Sequence, residues 1–292
     1  GEVVEALGEP APRASVRRPD GRVVQRPSAA AVERGLGGVP RVLDRGDLQL
    51  ALAERVRADV VLGAPLSTDE DVDASLLVGA DGFRSVVARR LDPTIQERPT
   101  GLVAFRGVVD AEVDPSEHGV VWGDGMEAGT APMRDGRTYW FATFPEVGAS
   151  RAALLSAVDG WAVPFGRLVR ATAEDRVSCV PVVRRDGPVR WHDDRSVVIG
   201  DAAHPMLPSP VSGGGHAIVD AVVLARLLAE DPVHGSARFE VARRRAAERA
   251  VRRSALAWDV AHGTGLHGRA GRLAAAAAPS SLALRALRAA TR

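Results

Sequence analysis

Apolar positions recur along this chain with two different periods, and the change of period divides it. Val16 and Val23-Val24 flank Pro19-Asp20-Gly21, the pattern of a β-hairpin, and residues 1–40 as a whole read as short strands and turns. From Asp44 to Val56 the period becomes helical. Leu48, Leu52 and Val56 stand four apart, with Asp44 or Asp47 available at the N-terminus. Ser75–Gly82 reads as a short apolar strand ending in a turn, and Ser85–Leu91 begins a helix. Residues 101–145 alternate apolar and polar, with turns at Asp124-Gly125 and Asp135-Gly136, which predicts an antiparallel sheet.

The second half returns to the longer period. Ser150–Ala171 reads as helix interrupted near Pro164, and Ser196–Ile199 as a buried strand that delivers Gly200-Asp201. Gly213–Glu230 reads as a long helix whose wide apolar face carries Ala217, Val219, Ala221, Leu224, Leu227 and Leu228. A basic helix over 236–260 and an Ala-rich one over 266–292, with Leu282, Leu284 and Leu287, complete the chain. One antiparallel block between two strand–turn–helix units predicts an α/β domain with a sheet domain inserted into it.

Composition narrows the function. The 292 residues suffice for one large domain or two small ones. The 38 Lys+Arg against 37 Asp+Glu leave a net charge of +1, which argues against a dedicated nucleic-acid binder. One cysteine, Cys179, excludes a disulfide framework and a Cys-rich zinc site; in an apolar strand it is expected to be inert. No apolar run is long enough for a transmembrane span and no signal peptide precedes the first elements, so the expectation is a cytoplasmic protein. The sequence has no Lys and no Asn, a bias of GC-rich coding, so a site wanting either does without.

Three strand ends carry candidate chemistry. Val197–Asp201 would deliver a Gly and an Asp to the carboxyl edge of a sheet, where open α/β folds bind ligands. Gly213-Gly214-Gly215 would then present bare N–H groups at a helix N-terminus, a place for negative charge. The plainer reading, a strand, a loop and a helix with Asp201 as a cap, is equally open on spacing alone. Leu77–Ser85 holds one of six Asp-Gly dipeptides, most of them ordinary turns. Arg45 at a helix start could meet a phosphate, or stand in a surface ion pair.

Taken in order, Arg45-x-x-Leu48, Gly79-Ala80-Asp81-Gly82-x-x-Ser85 and Gly200-Asp201-Ala202-Ala203-His204-Pro205 resemble the FAD-dependent monooxygenases of the class A aromatic-hydroxylase type. Gly101–Gly107, Tyr139–Ala142 and the helix around Trp161 support the likeness. The resemblance implies an FAD/NAD(P)-binding Rossmann-like domain with an inserted antiparallel substrate domain and C-terminal helices. The expected division is 1–98 and 186–232 for the FAD-binding parts, 99–185 for the substrate sheet and 233–292 for the helical region. It implies FAD as cofactor, NAD(P)H as co-substrate, and O2 and a small hydrophobic or aromatic molecule as reactants.

The resemblance also implies roles. Arg45 would lie near the FAD phosphates, Asp81 and Gly82 by the pyrophosphate and the NAD(P)H path, and Asp201, behind Gly200, on the ribityl chain. Pro208 would lie against the flavin ring, and Gly213, Gly214 and Gly215 at its pyrimidine edge, with His216 nearby in a solvent or capping role. His204 is expected to be structural, and His192-Asp193-Asp194 a surface turn rather than a metal site.

The chain departs from the family at the front, where the Gly-x-Gly-x-x-Gly strand–turn of a ~30-residue βαβ unit is absent. It is shorter between Val61 and Ser75, and lacks the Asn expected near Gly215. These departures leave open a non-catalytic or partner-dependent remnant of a flavoprotein. Reductase and halogenase relatives form a third option, the last weakened by the missing Trp-x-Trp-x-Ile-Pro pattern. The Arg-rich stretch Arg238–Arg253 reads as a solvated helix face, and 266–292 as a docking helix for the core or for a second subunit of a homodimer.

Overall fold

The structure, a computed structural model, describes residues 2–11, 15–67, 72–209 and 213–277. The chain begins with α1 (Glu2–Leu7), β1 (Glu9–Pro10), β2 (Val16–Arg17), β3 (Val23–Gln25), α2 (Ala29–Leu36), β4 (Arg41–Val42) and α3 (Arg45–Ala53). It continues with β5 (Leu77–Gly79), α4 (Val86–Leu91), β6 (Glu97–Val109), β7 (Gly119–Trp122), β8 (Glu127–Pro132) and β9 (Thr138–Pro145). Then come α5 (Arg151–Ala157), α6 (Phe165–Ala171), β10 (Val177–Arg185), β11 (Ser196–Val198), α7 (Gly213–Glu230), α8 (Gly235–His262) and α9 (Gly265–Ala277). They form two units: Gly1–Val60 with Gly101–Val182 and the segment from Asp259, and Val61–Thr100 with Val183–Trp258.

The first unit is built on a seven-stranded sheet of order β10-β6-β9-β8-β7-β2-β3. Alternation along β6 and β9 sends Val103, Phe105, Val109, Trp140 and Ala142 to one face, closed by Leu154 of α5 and by Phe165, Leu168 and Val169 of α6. Gly107, paired with Trp140, is small for a reason: a Cβ there would stand 2.7 Å from the indole. Trp140 Nε1 donates to Thr172 Oγ1 at 2.8 Å, so the largest core side chain leaves no orphaned donor. The hairpin expected around Asp20-Gly21 is β2–β3, with Gly21 at φ 82°, and β2 adds parallel to β7.

The reading of residues 1–40 as strands and turns alone is corrected, since α1 and α2 occupy much of that stretch. Ser28 caps α2 by accepting from the Ala31 N–H, and Gly37 ends it in the left-handed conformation, so an Ala-rich run with both stop signals folds as a helix. The helix expected from Asp44 is α3, capped by Asp44, yet it buries no residue and leaves Leu52 and Val56 about half exposed.

In the second unit β5 and β11 pair in parallel, Val78 opposite Val197. Gly79 lets α4 approach, because a Cβ there would stand 2.6 Å from Val87 Cβ. Trp191, Val197, Val198, Leu224, Phe239 and Ala247 form the core with α7 and α8. The expected apolar face of α7 holds at Leu224, which is buried, and at Leu227 and Leu228, which pack against the core; it is corrected at Val219, 38% exposed, and at Ala221, also exposed, while His216 and Asp220 complete the buried stripe and Ile218 and Val222 are 53% and 55% exposed. Leu282, Leu284 and Leu287, and residues 68–71 of the shortened stretch between Val61 and Ser75, lie outside the described residues. Among the described residues no helix is long and apolar enough to cross a membrane.

Candidate functional site

β11 is followed by a single 3-10 turn, Gly200–Ala202, whose three carbonyls and first N–H are bonded inward. Gly200, at φ 57°, donates its N–H to Asp220 Oδ2 at 3.0 Å, and its carbonyl accepts from Ala203 and His204. The carbonyls of Asp201 and Ala202 accept from Arg185 Nη2 at 2.6 and 2.8 Å. A Cβ on Gly200 would press on Ala217 Cβ at 2.9 Å, so the turn sits directly on α7. What remains facing out is the exposed Asp201 side chain. Beyond it a Cβ on Gly213 would lie 3.5 Å from Asp201 Oδ1, while at Gly214 and Gly215 it would meet nothing within 4 Å.

A fully buried ionic cluster underlies this turn. Asp220 accepts from His204 Nε2 at 2.5 Å and from Arg243 Nε at 2.7 Å, and Arg243 Nη2 donates to His216 Nδ1 at 3.1 Å. A carboxylate only accepts and a guanidinium only donates, so His204 carries a proton on Nε2 and His216 presents an unprotonated Nδ1. Burial pushes the Asp220 carboxyl up, but its bonds from His204, Arg243 and Gly200 outweigh that and hold it below the usual carboxylate range.

Arg185 clamps the other side. It is buried, its guanidinium lies 5.7 Å from the Phe83 ring centroid, and its Nε and Nη1 have no hydrogen-bond partner among the described residues. Burial and the charge of Arg89 lower its pKa, against Glu97, Asp201 and Asp81.

The structure sorts the expected residues. Gly200, Asp201, Gly213, Gly214 and Gly215 come together at the end of β11 and the start of α7. Asp81 accepts the Val86 N–H at 2.7 Å and so helps Ser85 start α4; Gly82, at φ 75°, borders open space. Arg45 belongs to the first unit, exposed in the first turn of α3. Pro208 is exposed on the loop after the turn; Pro210–Ser212 lie outside the described residues.

His204 is structural, as expected. His216 is corrected: it is buried against Arg243 rather than solvent-facing. The Arg-rich stretch is corrected in part, since Arg243 is buried and Arg244 lies 4.9 Å from the Trp191 ring. His192 meets Glu240 at 2.8 Å, and no group among the described residues could hold a metal ion. Cys179 is on β10 as expected but exposed, with burial of its surroundings raising its thiol pKa.

Sequence reasoning missed Arg185, Asp220 and Arg243. Asp220 left a signal, a lone acid inside the run Ala217–Leu224, which a helix tolerates only if the charge finds a partner. Arg243 was hidden among neighbouring arginines and Arg185 beside an Asp-Gly turn.

An exposed carboxylate beside an open helix N-terminus fits a polyhydroxylated chain that ends in a flat group gaining negative charge. Residues 48–259 match the family described as FAD binding domain. The chain is 34% identical over 248 residues to aurachin C monooxygenase/isomerase of Stigmatella aurantiaca, covering 77% of this chain and 65% of that protein. It is 33% identical over 227 residues to 2-heptyl-3-hydroxy-4(1H)-quinolone synthase of Pseudomonas aeruginosa, covering 66% and 58%. The matched region thus spans less than two thirds of these relatives' length.

Klebsiella pneumoniae HpxO, solved with FAD and uric acid, superposes with a TM-score of 0.88 at 23% identity, over all of this chain and 82% of that one, which shows the shared fold. The chain therefore belongs to the FAD binding domain family, that of the FAD-dependent monooxygenases of aromatic-hydroxylase type.

Proposed function

We propose that this protein is an FAD-dependent monooxygenase that hydroxylates or epoxidises a small hydrophobic or aromatic molecule with NAD(P)H and O2. The observation that carries the reading is the turn Gly200–Ala202. Its three carbonyls and the Gly200 N–H are bonded inward, and the exposed Asp201 side chain stands beside the open start of α7. Asp201 accepts hydroxyl donors of the ribityl chain. The N–H groups of Gly213 to Gly215 face the pyrimidine edge, with Pro208 against the ring. Arg45, Asp81 and Gly82 serve the phosphates. Bound FAD supplies the redox and oxygen chemistry; the chain supplies position, charge and exclusion of water.

The aromatic substrate class is supported by relatives named for quinolone and hydroxynicotinate chemistry. The functional division into 1–98 with 186–232, 99–185 and 233–292, a cytoplasmic location and a homodimer belong to the same proposal.

A second reading, a flavoprotein piece that needs a partner chain, is favoured by one observation. Val78 on β5 is 42% exposed, and β5 has no further strand beside it among the described residues. Titration of FAD into the 292-residue chain, followed by flavin fluorescence and NAD(P)H oxidation, separates the two. The first reading expects saturable quenching, weakened about tenfold, or 1.4 kcal/mol, by Asp201→Ala. Absence of binding by the chain alone, with binding restored by co-expression of a βαβ nucleotide-binding unit, would establish the second.

A further inference from the structure

α8 turns one side inward and leaves the other with arginines and no acid. At 3.6 residues per turn, Phe239, Arg243, Ala247, Ala250, Ser254 and Trp258 fall on one side of the helix, and all six are buried. The opposite side, an arc of about 80°, carries Arg238, Val241, Arg245, Arg249, Arg252 and Leu256, and all six are exposed. The row they form is about 27 Å long, at 1.5 Å per residue.

An ordinary solvated helix face pairs opposite charges at i,i+4. The acids of α8 do otherwise. Glu240 lies toward the buried side, where it accepts from the Trp191 N–H at 2.9 Å and from Arg244 Nε at 2.8 Å and meets His192 Nδ1 at 2.8 Å. Glu248, at the border of the arc, stands 3.7 Å from Arg244 and 3.9 Å from Arg252. Arg238 reaches Glu230 of α7 at 2.9 Å. Arg245 and Arg249 make no hydrogen bond or ion pair among the described residues.

Arg249 follows Arg245 by four residues and precedes Arg252 by three, so like charges are neighbours along the helix surface, an arrangement that opposes folding unless an anion meets it. The two aliphatic side chains flank this cationic stretch, Val241 83% exposed at one end and Leu256 66% exposed at the other.

We propose that this face of α8 docks on an anionic phospholipid bilayer, the helix lying flat on the surface. Arg245, Arg249 and Arg252 donate to lipid phosphates, and Val241 and Leu256 enter the boundary between headgroups and acyl chains. A nucleic-acid backbone would meet the arginines but leave both aliphatic side chains in water, and a net charge of +1 supplies no wider basic field to hold it. Docking brings the chain to the phase in which hydrophobic small molecules concentrate, and it needs no flavin.

Sedimentation of the full 292-residue chain with vesicles tests it. One set is phosphatidylcholine alone; the other is equal parts phosphatidylcholine and phosphatidylglycerol. A DNA duplex and polyglutamate are titrated as soluble polyanions. The chain partitions onto the anionic vesicles at least about tenfold more strongly than onto the neutral ones. Salt at about 1 M, with a screening length of about 3 Å, removes that preference. Replacing Arg245, Arg249 and Arg252 together by Gln lowers anionic partition about a hundredfold, at about fivefold per charge. The three Lys replacements retain it, and Leu256→Gln lowers it about fivefold. Arg245 and Arg249 bind nothing in the folded chain, so thermal midpoints of the variants stay near that of the parent and are measured alongside. Equal partition onto the two vesicles, a preference that survives the triple Gln replacement, or an unaltered partition in Leu256→Gln overturns the proposal. So does binding of either soluble polyanion by a chain that ignores both vesicles. Because vesicle binding is read without FAD, a chain that fails to hold FAD overturns the monooxygenase reading and leaves the docking face standing.

Discussion

In the first unit the interior is Trp140, Phe165, Leu154, Leu168 and Val169, all essentially inaccessible to water, and the one polar handle among them, the Trp140 indole, donates to a neighbouring threonine. In the second unit Trp191, Phe239, Val197 and Val198 share the interior with Asp220, His204, Arg243 and Arg185. The first arrangement gains stability from apolar area and from shape, the Gly107–Trp140 fit being its sharpest instance. The second spends part of its interior on charges whose desolvation is offset only while every partner is present. The clamped turn beside Asp201 lies there, so the unit that would hold a cofactor trades apolar packing for directional control of one loop.

The strongest way to break this comparison is to remove one element from each interior. Asp220→Ala leaves His204 and Arg243 buried without their acceptor and is expected to cost about 3–5 kcal/mol in chemical denaturation. Trp140→Ala opens a cavity of similar cost, about 3–5 kcal/mol. The two part company with pH. The Asp220 penalty shrinks below about pH 4, as the wild-type carboxylate itself becomes protonated, and the Trp140 penalty does not. If the Asp220 penalty is pH-independent, or less than about 1 kcal/mol, the ionic account of the second unit is wrong.

Arg185→Gln comes next. It removes charge-assisted bonds to the Asp201 and Ala202 carbonyls, each class of bond contributing about 1.5–3 kcal/mol. The expected readout is a weaker FAD titration together with a lower unfolding midpoint. A lower midpoint with unchanged FAD affinity would mean that the clamp does not position Asp201.

Acid titration sharpens the contrast at smaller scale. Asp92, Asp220 and Glu240, all in the second unit, sit below the ordinary carboxylate range. For Asp92 the cause is bonding from Thr94 and Val189; for Asp220 and Glu240 burial works the other way and is outweighed by their donors. A depressed carboxyl contributes stability that is whole above its unfolded value, near 4, and is lost as pH falls through the folded one. His118, in the first unit, is lowered from 6.5 chiefly by burial. The unfolded chain then binds the extra proton, so its contribution begins to fall as pH drops below 6.5. Tryptophan-edited unfolding curves between pH 3 and 7 should therefore show the first unit softening slightly before the second. The reverse order would count against both assignments.

The smallest effect is expected on the outer face of α7. Ile218→Glu and Val222→Glu replace exposed side chains and should change stability by no more than about 0.5 kcal/mol. A larger loss would show that this face is covered in solution.

How much was legible beforehand follows the same divide. The sheet of the first unit could be read because alternation is local: Thr138 to Phe144 tells inside from outside with period two, and the hairpin turns announce themselves as Asp-Gly. Helix starts at Ser85 and Asp44 were visible for the same reason, their side chains acting on N–H groups two or three residues away. Residues 1–40 misled because the two helices there are short, six and eight residues, and α2 is bounded by its Ser28 and Gly37 caps.

The order of strand ends also let Gly200, Asp201 and Gly213–Gly215 be placed together from the sequence, since each is adjacent in the chain to a recognisable strand or helix. What only the tertiary structure decided is which groups hold them. His204 and Asp220 are 16 residues apart, Asp220 and Arg243 are 23, and Arg185 reaches a turn 16 residues on. Periodicity reports the environment of a side chain along its own element, whereas an ion pair or a clamped carbonyl is a choice of partner across elements. That choice is made by packing, when burial removes water as the alternative acceptor and leaves one carboxylate within reach.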